Sequence, residues 1–308
     1  MKRTLWLAAW FAAASASPWL TGPAEAPSLA PSAAELLSPG ARVAEVRLRE
    51  GGFVRARRLA VEAGTLVVTG ASGSRTLAGV NTEGPLRTRV MWLGTDQQGR
   101  DVLARLAAGA RRSLLVAALA LVVAAILGLT IGLAAAVAPE GVADSIALIV
   151  DAALSLPRLL VILILGVALR ASWSGAALAI GCASWMELAR LVEADARSLS
   201  RRPFALAARA AGAGPARVAT AHILPNLAPV LASVIPAAAT DAILLESTLS
   251  FLGVGGADAA SWGRMIADGL RLMPGGWWMS VAPGVLLAAT AVAVSVLARG
   301  GRRAAPFA

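Results

Sequence analysis

Between Ser113 and Ala138 the sequence carries no charged residue, and the same holds between Trp277 and Ala298. Each run is longer than the ~20 residues an α-helix needs to cross a bilayer. A core helix of that length in a water-soluble protein shows a polar stripe. These runs have none, so lipid is the solvent they fit. Composition agrees, with 57% hydrophobic and only 15% charged residues, where a soluble domain carries about 25% charged. The chain reads as an all-α polytopic membrane protein.

The formal charge of +10 comes almost entirely from arginine. Nucleic acid is the usual partner of so basic a chain, but here membrane topology accounts for the charge, because short basic loops stay on the cytoplasmic side. Cys182 is the sole cysteine and His222 the sole histidine. An internal disulfide and a histidine-based metal cluster are both excluded. Cys182, inside an apolar run, reads as a small core residue. His222 reads as closing a loop.

Six spans are expected. The first, residues 1–20, follows Lys2 and Arg3; its Ser15-Ala16-Ser17 also resembles a signal-peptidase site. Residues 21–92 form an extracytoplasmic insert that is partly β. Prolines 23, 27, 31 and 39 mark a linker, and branched apolar residues then alternate with polar ones between glycine turns. The insert reads as a variable insertion more readily than as a partner-contact site. Residues 93–298 hold five further spans, and 299–308 form a basic tail.

Within that core, Asp96 is expected to cap a short interfacial helix leading into a second span at 113–138. The third, 143–169, is kinked at Pro157, and the fourth runs over 172–188. A long loop, 189–221, holds Arg190, Arg197, Arg201, Arg202, Arg209 and Arg217 against Glu193 and Asp195. The fifth, 223–245, is interrupted by prolines 225, 229 and 236, and a Gly-rich loop, 253–276, precedes the sixth. The basic loop, the tail and Lys2-Arg3 share one side if the count is six, which places both termini in the cytoplasm. Trp262, Trp277 and Trp278 read as interfacial anchors.

The loop has its own chemistry. Phe204 to Ala213 is an Ala-rich helix ended by glycine, and Arg217 to His222 is a second helical piece ending at Ile223-Leu224-Pro225-Asn226. Short helices of small residues permit close approach by a groove on a partner. Here the residues resemble a known family. Ala207-Ala208, Gly212 and Ile223-Leu224-Pro225 look like the EAA loop (200–226) of ABC importer permeases. More narrowly, the chain resembles the second permease type of the dipeptide/oligopeptide/nickel importers. The blocks are Leu93-Gly94-Thr95-Asp96 with Gly99-Arg100-Asp101-Val102-Leu103, then Asp151 with Ser155 and Pro157. They continue with Trp185 and Ala189-Arg190-Leu191-Val192, His222 to Asn226, Leu249 to Gly255, and Ser261-Trp262-Gly263. The resemblance covers about residues 91–290; Leu206 stands where the motif often has an acid.

The resemblance implies the type I ABC importer permease fold. It also implies a second permease subunit, two cytoplasmic ATPases docked on the paired loops, and an extracytoplasmic solute-binding protein. The lipid of a bacterial inner membrane would surround the spans, and nucleic acid is not a partner. The chain lacks a Gly-x-x-x-x-Gly-Lys-Ser/Thr phosphate loop and so is a transporter subunit, not the ATPase. It binds no cofactor itself; ATP and Mg belong to the partner ATPases. Expected docking residues are Phe204, Ala207, Ala208, Arg209, Gly212, Arg217 and Pro225. The solute would be a peptide, or nickel in chelated form.

Asp151, Asp241 and Glu246 are expected within or at the ends of spans. Intramembrane acids face a cavity or a partner, so they are candidates for pathway lining or, more plainly, helix–helix hydrogen bonds. A rival reading uses Asp151 and Asp241 as coupling sites of an ATP-independent channel or secondary transporter. An intramembrane hydrolase fares worse, since no Ser-His or paired-Asp motif falls at facing positions.

Overall fold

The structure, a computed structural model, describes residues 36–48, 53–62, 65–70, 73–77, 82–170, 172–256 and 260–302. The expected first span and the end of the basic tail lie outside these residues. The described residues fall into two compact units, one drawn from Met1–Ser113 and Asp258–Ala288, the other from Leu114–Ala257 and Ala289–Ala308.

The first unit begins with six strands, β1 (Ala41–Leu48), β2 (Phe53–Ala56), β3 (Arg58–Glu62), β4 (Thr65–Gly70), β5 (Gly73–Leu77) and β6 (Thr82–Met91). They make two antiparallel three-stranded sheets, ordered β2-β1-β6 and β3-β4-β5. Val46, Val54, Ala56, Leu66 and Val68 close a small core between them. Val43 packs elsewhere, with Leu37 and Met91. Val43 and Val46 are three residues apart and so face opposite sides of β1, and one strand serves two clusters; the register of β1 on β6 also shifts between Glu45 and Arg47.

After β6 the chain turns at Thr95–Arg100 into α1 (Val102–Val137). The turn is organised by Asp96, whose Oδ1 accepts from the Gln98 and Arg100 amides at 2.9 and 2.8 Å. Its Oδ2 receives Arg100 Nε and Arg105 Nη1, each at 2.7 Å. Asp96 is therefore the hub of the turn, and the cap of α1 is Asp101, whose Oδ1 accepts from Leu103 N at 2.9 Å. Burial pushes the Asp101 carboxyl above its ordinary pKa, opposed by that amide and by Arg89. The expected separate interfacial helix does not exist. Residues 102–112 are the first turns of one 36-residue helix, about 54 Å long at 1.5 Å per residue. This exceeds the ~30 Å hydrocarbon thickness, so the helix reaches beyond it. Arg105 is buried on Asp96 instead of lying at a lipid interface.

The same unit holds α8 (Trp262–Leu270), a short helix where the sequence suggests only loop. Ser261 caps it by accepting from Arg264 N at 3.2 Å. Trp262 is fully buried among Val102, Leu106, Met265 and Met279, and its Nε1 donates to the Leu106 carbonyl at 3.0 Å. Trp278, which opens α9 (Trp278–Arg302), is buried in this cluster too. Of the three tryptophans expected as anchors, only Trp277 is exposed. The other two are core residues: Trp262 buries its ring with its N–H bonded to Leu106 O, and Trp278 buries its ring in the same cluster.

The second unit is a helix bundle. The expected third span is two helices, α2 (Glu140–Leu154) and α3 (Arg158–Ala168), bent by 85°. Pro157 disfavours helical backbone at Leu156 and has no N–H to give, so the chain breaks outright. The fourth helix, α4 (Trp173–Ser200), does not stop at Leu188. Residues 189–200 contain no glycine or proline and stay helical. Glu193 supports them by pairing with Arg190 at 3.6 Å and Arg197 at 2.6 Å. Cys182 lies on an exposed face of α4, not in the core.

The loop then comprises α5 (Pro203–Ala210), a single turn α6 (Pro215–Arg217) and a π-helical segment, Val218–Ile223. The second piece does not end at Pro225. It runs directly into α7 (Leu224–Phe251), with Pro225 in the first turn. A π-helical turn is one way to absorb a proline without breaking the rod. Asn226 Nδ2 donates to the His222 carbonyl at 2.7 Å across this junction. Nor do Pro229 and Pro236 interrupt α7. Each proline leaves the carbonyl four residues earlier, on Pro225 and Ala232, without its helical N–H donor, a loss that intramembrane helices tolerate; the hydroxyls of Ser233 and Thr240 bond other carbonyls, Val230 O at 2.7 Å and Pro236 O at 3.0 Å.

Small residues hold the bundle close. A Cβ on Gly181 of α4 would lie 2.6 Å from Val123 Cβ and 2.8 Å from Ala120 O of α1, and one on Gly132 2.6 Å from Ala189 O. Lipid offers no hydrophobic drive between helices, so close backbone approach and van der Waals contact replace it. By length and apolarity, four helices of the described residues can cross a membrane, five if α2 and α3 together make one crossing.

Candidate functional site

Two regions of the second unit hold the expected site residues. The first is the surface of α5 and α6. Helix α5 ends in a Schellman motif: Ala213 N donates to Ala208 O at 3.0 Å and Gly212 N to Arg209 O at 2.9 Å, with Gly212 at φ +85°. The helix packs by Ala205, fully buried with Val192, Ala196, Val218 and Ile223. Phe204 and Ala208 are half-buried against the same cluster. Ala207, Arg209, Gly212, Arg217 and Pro225 are exposed. So is Leu206, at 51%. The seven expected docking residues thus divide. Phe204 and Ala208 anchor the helix from below, and the other five, with Leu206, Ala210 and Ala211, are what a partner could touch. Small side chains on a helix seated by Ala205 and closed by a Schellman turn make a shallow surface.

The second region is a cavity of about 360 Å³ within the bundle. Helix α4 contributes Ser184, Glu187, Leu188 and Leu191, and α7 contributes Val234, Ala237, Ala238 and Asp241. Both sets follow i, i+3, i+4, i+7 spacing, one face of a helix. Ala120, Leu121 and Ala124 of α1 add an apolar wall. Arg158, the first residue of α3, enters from the break after Pro157. Its Nη1 lies 3.0 Å from Glu187 Oε1 and its Nη2 2.9 Å from Asp241 Oδ2.

Of the three acids expected to line a pathway, only Asp241 faces this cavity. Asp151 pairs with Arg190, which also meets Glu193. This ion-pair chain ties α2 to α4. Glu246 is 2% exposed and accepts from Ser250 Oγ at 2.8 Å, an internal fastening of α7. Arg158, Glu187 and Ser184 were not among the expected site residues. The signal for Arg158 was present, since a lone intramembrane arginine beside a proline calls for an acid partner. That Glu187 and Asp241 are the acids required three helices to be placed together. No group of three metal-ligating side chains occurs among the described residues.

Similarity to known proteins bears on both regions. Residues 128–301 match the family described as the binding-protein-dependent transport system inner membrane component. A Brucella suis protein named as a peptide transport system permease is 38% identical over 212 residues, covering 68% of this chain and 71% of the relative. The Bacillus subtilis dipeptide transport system permease protein DppC is 34% identical over 212 residues, covering 68% of this chain and 66% of its own. The chain also shares its fold with the inward-facing methionine ABC transporter MetNI, with a TM-score of 0.54 at 18% identity over 67% of this chain and 97% of that one. With a helical bundle, apolar spans and a small-residue loop helix now in place, the chain belongs to the inner-membrane-component family of binding-protein-dependent transport systems: it is a permease subunit of an ABC importer.

Proposed function

We propose that this chain pairs with a second permease subunit to form the translocation pathway for peptides or a related small solute, nickel chelates included. In this reading an extracytoplasmic binding protein delivers the solute. Two cytoplasmic ATPases, which bind ATP and Mg, dock on the loops at 200–226, and both termini lie in the cytoplasm. Asp241, with the cavity it lines, belongs to the pathway. Asp151 and Glu246 act as helix fastenings.

The observation that carries the docking assignment is the split of α5 into two faces. Ala205, with Phe204 and Ala208, seats the helix on Val218 and Ile223. Leu206, Ala207, Arg209 and Gly212 are left exposed. A helix that must transmit force to its own bundle needs a fixed underside and a shape-matched outer face. Leu206, 51% exposed, adds apolar area to that outer face.

Copurification tests this. Ala207→Trp and Gly212→Trp, in the full chain expressed with its ATPases and permease partner, are expected to remain in the membrane. They lose at least ten-fold in recovered ATPase and in ATP-driven uptake of dialanine. Normal ATPase recovery and uptake in both variants would show that docking lies elsewhere. Uptake persisting in vesicles without any ATPase would instead favour the ATP-independent transporter.

A further inference from the structure

The two helices that meet at Pro157 are seated unequally. On α3, Ile162 and Gly166 are buried, and Val161, Leu163 and Leu165 pack on the core cluster of the bundle. A Cβ on Gly166 would lie 2.7 Å from Val254 Cγ1. Arg158, at the start of α3, adds ion pairs to both α4 and α7. Helix α2 has 15 residues, of which only Ala143 and Val150 are buried. An ion pair, Asp151–Arg190, ties it to α4, and the two side chains are 50% and 44% exposed. Backbone bonding ends on the α2 side with Leu156 N donating to Ala153 O at 3.3 Å. It resumes on the α3 side with Leu160 N donating to Pro157 O at 2.9 Å. The residues between, Ser155, Leu156 and Pro157, are exposed. Short stretches at element ends are where hinges absorb their backbone changes.

Arg190 has a second acid within reach. Its Nη1 lies 3.6 Å from Glu193 Oε2 on its own helix, and Glu193 Oε1 also meets Arg197 at 2.6 Å. Losing Asp151 therefore leaves Arg190 paired. The orphaned charge that holds a buried pair shut does not arise, and a half-exposed pair contributes little by itself. Such a contact can open and close, and a partner that favours one form can bias it. The same stretch of α4 carries the loop helix, since Val192 and Ala196 pack with Ala205 of α5. We infer that α2 is a movable arm pivoting at Ser155–Pro157, that Asp151–Arg190 is its latch, and that Glu193 keeps Arg190 when the latch opens. Helix α3 is the fixed side of the hinge, held by its packing and by Arg158. The inference rests on the chain being an importer permease with ATPases docked on α5, whose nucleotide state biases the latch through α4.

Spin labels on Cys182 of α4, the sole cysteine, and on Ser145→Cys, an exposed position of α2, report the position of the arm by pulsed electron–electron resonance. The sample is the complete transporter in nanodiscs, with cysteine-free partner subunits. Two distance populations are expected, and trapping with ATP and vanadate should change their ratio by about three-fold or more. Asp151→Asn removes the latch, and Glu193→Gln removes the alternative partner of Arg190. The two should shift the ratio in opposite directions, each by about three-fold or more, whereas a general loosening of the bundle would move both the same way. If Glu193→Gln does not assemble, Arg190→Gln should reproduce the Asp151→Asn distribution, because both delete the same pair. A single population unchanged by vanadate, a shared direction in the two variants, or an Arg190→Gln distribution like the unmodified latch would overturn the inference. Failure of the unsubstituted chain to recover ATPases on copurification would instead count against the importer reading.

Discussion

Arg105 Nη1 lies 2.7 Å from Asp96 Oδ2, and both side chains are almost wholly withdrawn from solvent. The carboxylate also gathers two backbone amides and Arg100, so one residue fixes the turn that launches α1. Removing one partner of a buried pair leaves an uncompensated charge, a loss of about 3–5 kcal/mol. Asp96→Ala is therefore expected to lower the thermal midpoint of the detergent-solubilised protein sharply, and Arg105→Met less, because Arg100 still faces Asp96. Unchanged midpoints in both would mean that the turn is held by something else.

Trp262 joins α8 to the first turns of α1 through both packing and its indole N–H. Trp262→Phe keeps most of the ring but loses the bond to Leu106 O, at an expected cost of about 1 kcal/mol. Trp262→Ala also leaves a cavity, costing about 3–5 kcal/mol. The ordering of the two midpoints is the check; a Phe variant as damaged as the Ala variant would contradict it.

Gly181 and Gly141 should respond in opposite directions. A Cβ at Gly181 meets Val123 and Ala120 within 3 Å, whereas one at Gly141 meets nothing within 4 Å. Gly181→Ala is expected to destabilise by about 1–3 kcal/mol through overpacking of α1 on α4. Gly141→Ala, in the first turn of α2, is expected to stabilise by about 0.5–1 kcal/mol through helix propensity and reduced unfolded-state freedom. Thermal unfolding of the two single variants decides the matter.

Gly212 has open space around its missing Cβ but a φ of +85°. Substitution there strains backbone and not packing. Gly212→Ala should cost about 1–2 kcal/mol, while Gly212→Asn, which tolerates left-handed backbone, should stay nearer wild type. ATPase recovery should follow the same order, because the Schellman turn sets the exposed face of α5. Asn behaving worse than Ala would refute the conformational explanation.

Much of this protein was legible before any folding was considered. The uncharged runs at 113–138 and 277–298 required lipid. Gly212 after an Ala-rich stretch required a helix stop, and the glycine-punctuated alternation in the insert required strands. These are local patterns, set by backbone sterics and by the solvent each segment tolerates. Helix ends were less legible. Residues 189–200 looked like loop because they are charged, but Glu193 pairs with arginines on either side and the helix continues. Prolines 225, 229 and 236 looked like breaks but sit inside a continuous helix, Pro225 just after a π-helical turn, while Pro157 stands at a bend of 85°.

What the sequence by itself determined is the membrane, the family and the identity of the loop, since each follows from composition or from motifs read in order. Only the tertiary structure decided which face of α5 is outward, that Trp262 and Trp278 are core, and that Arg158 of α3 meets Glu187 of α4 and Asp241 of α7. The physical reason is the same in each case. Burial and charge pairing depend on which helix faces are brought together, and residues 29 and 83 positions from Arg158 become its neighbours only when α3, α4 and α7 pack around one cavity.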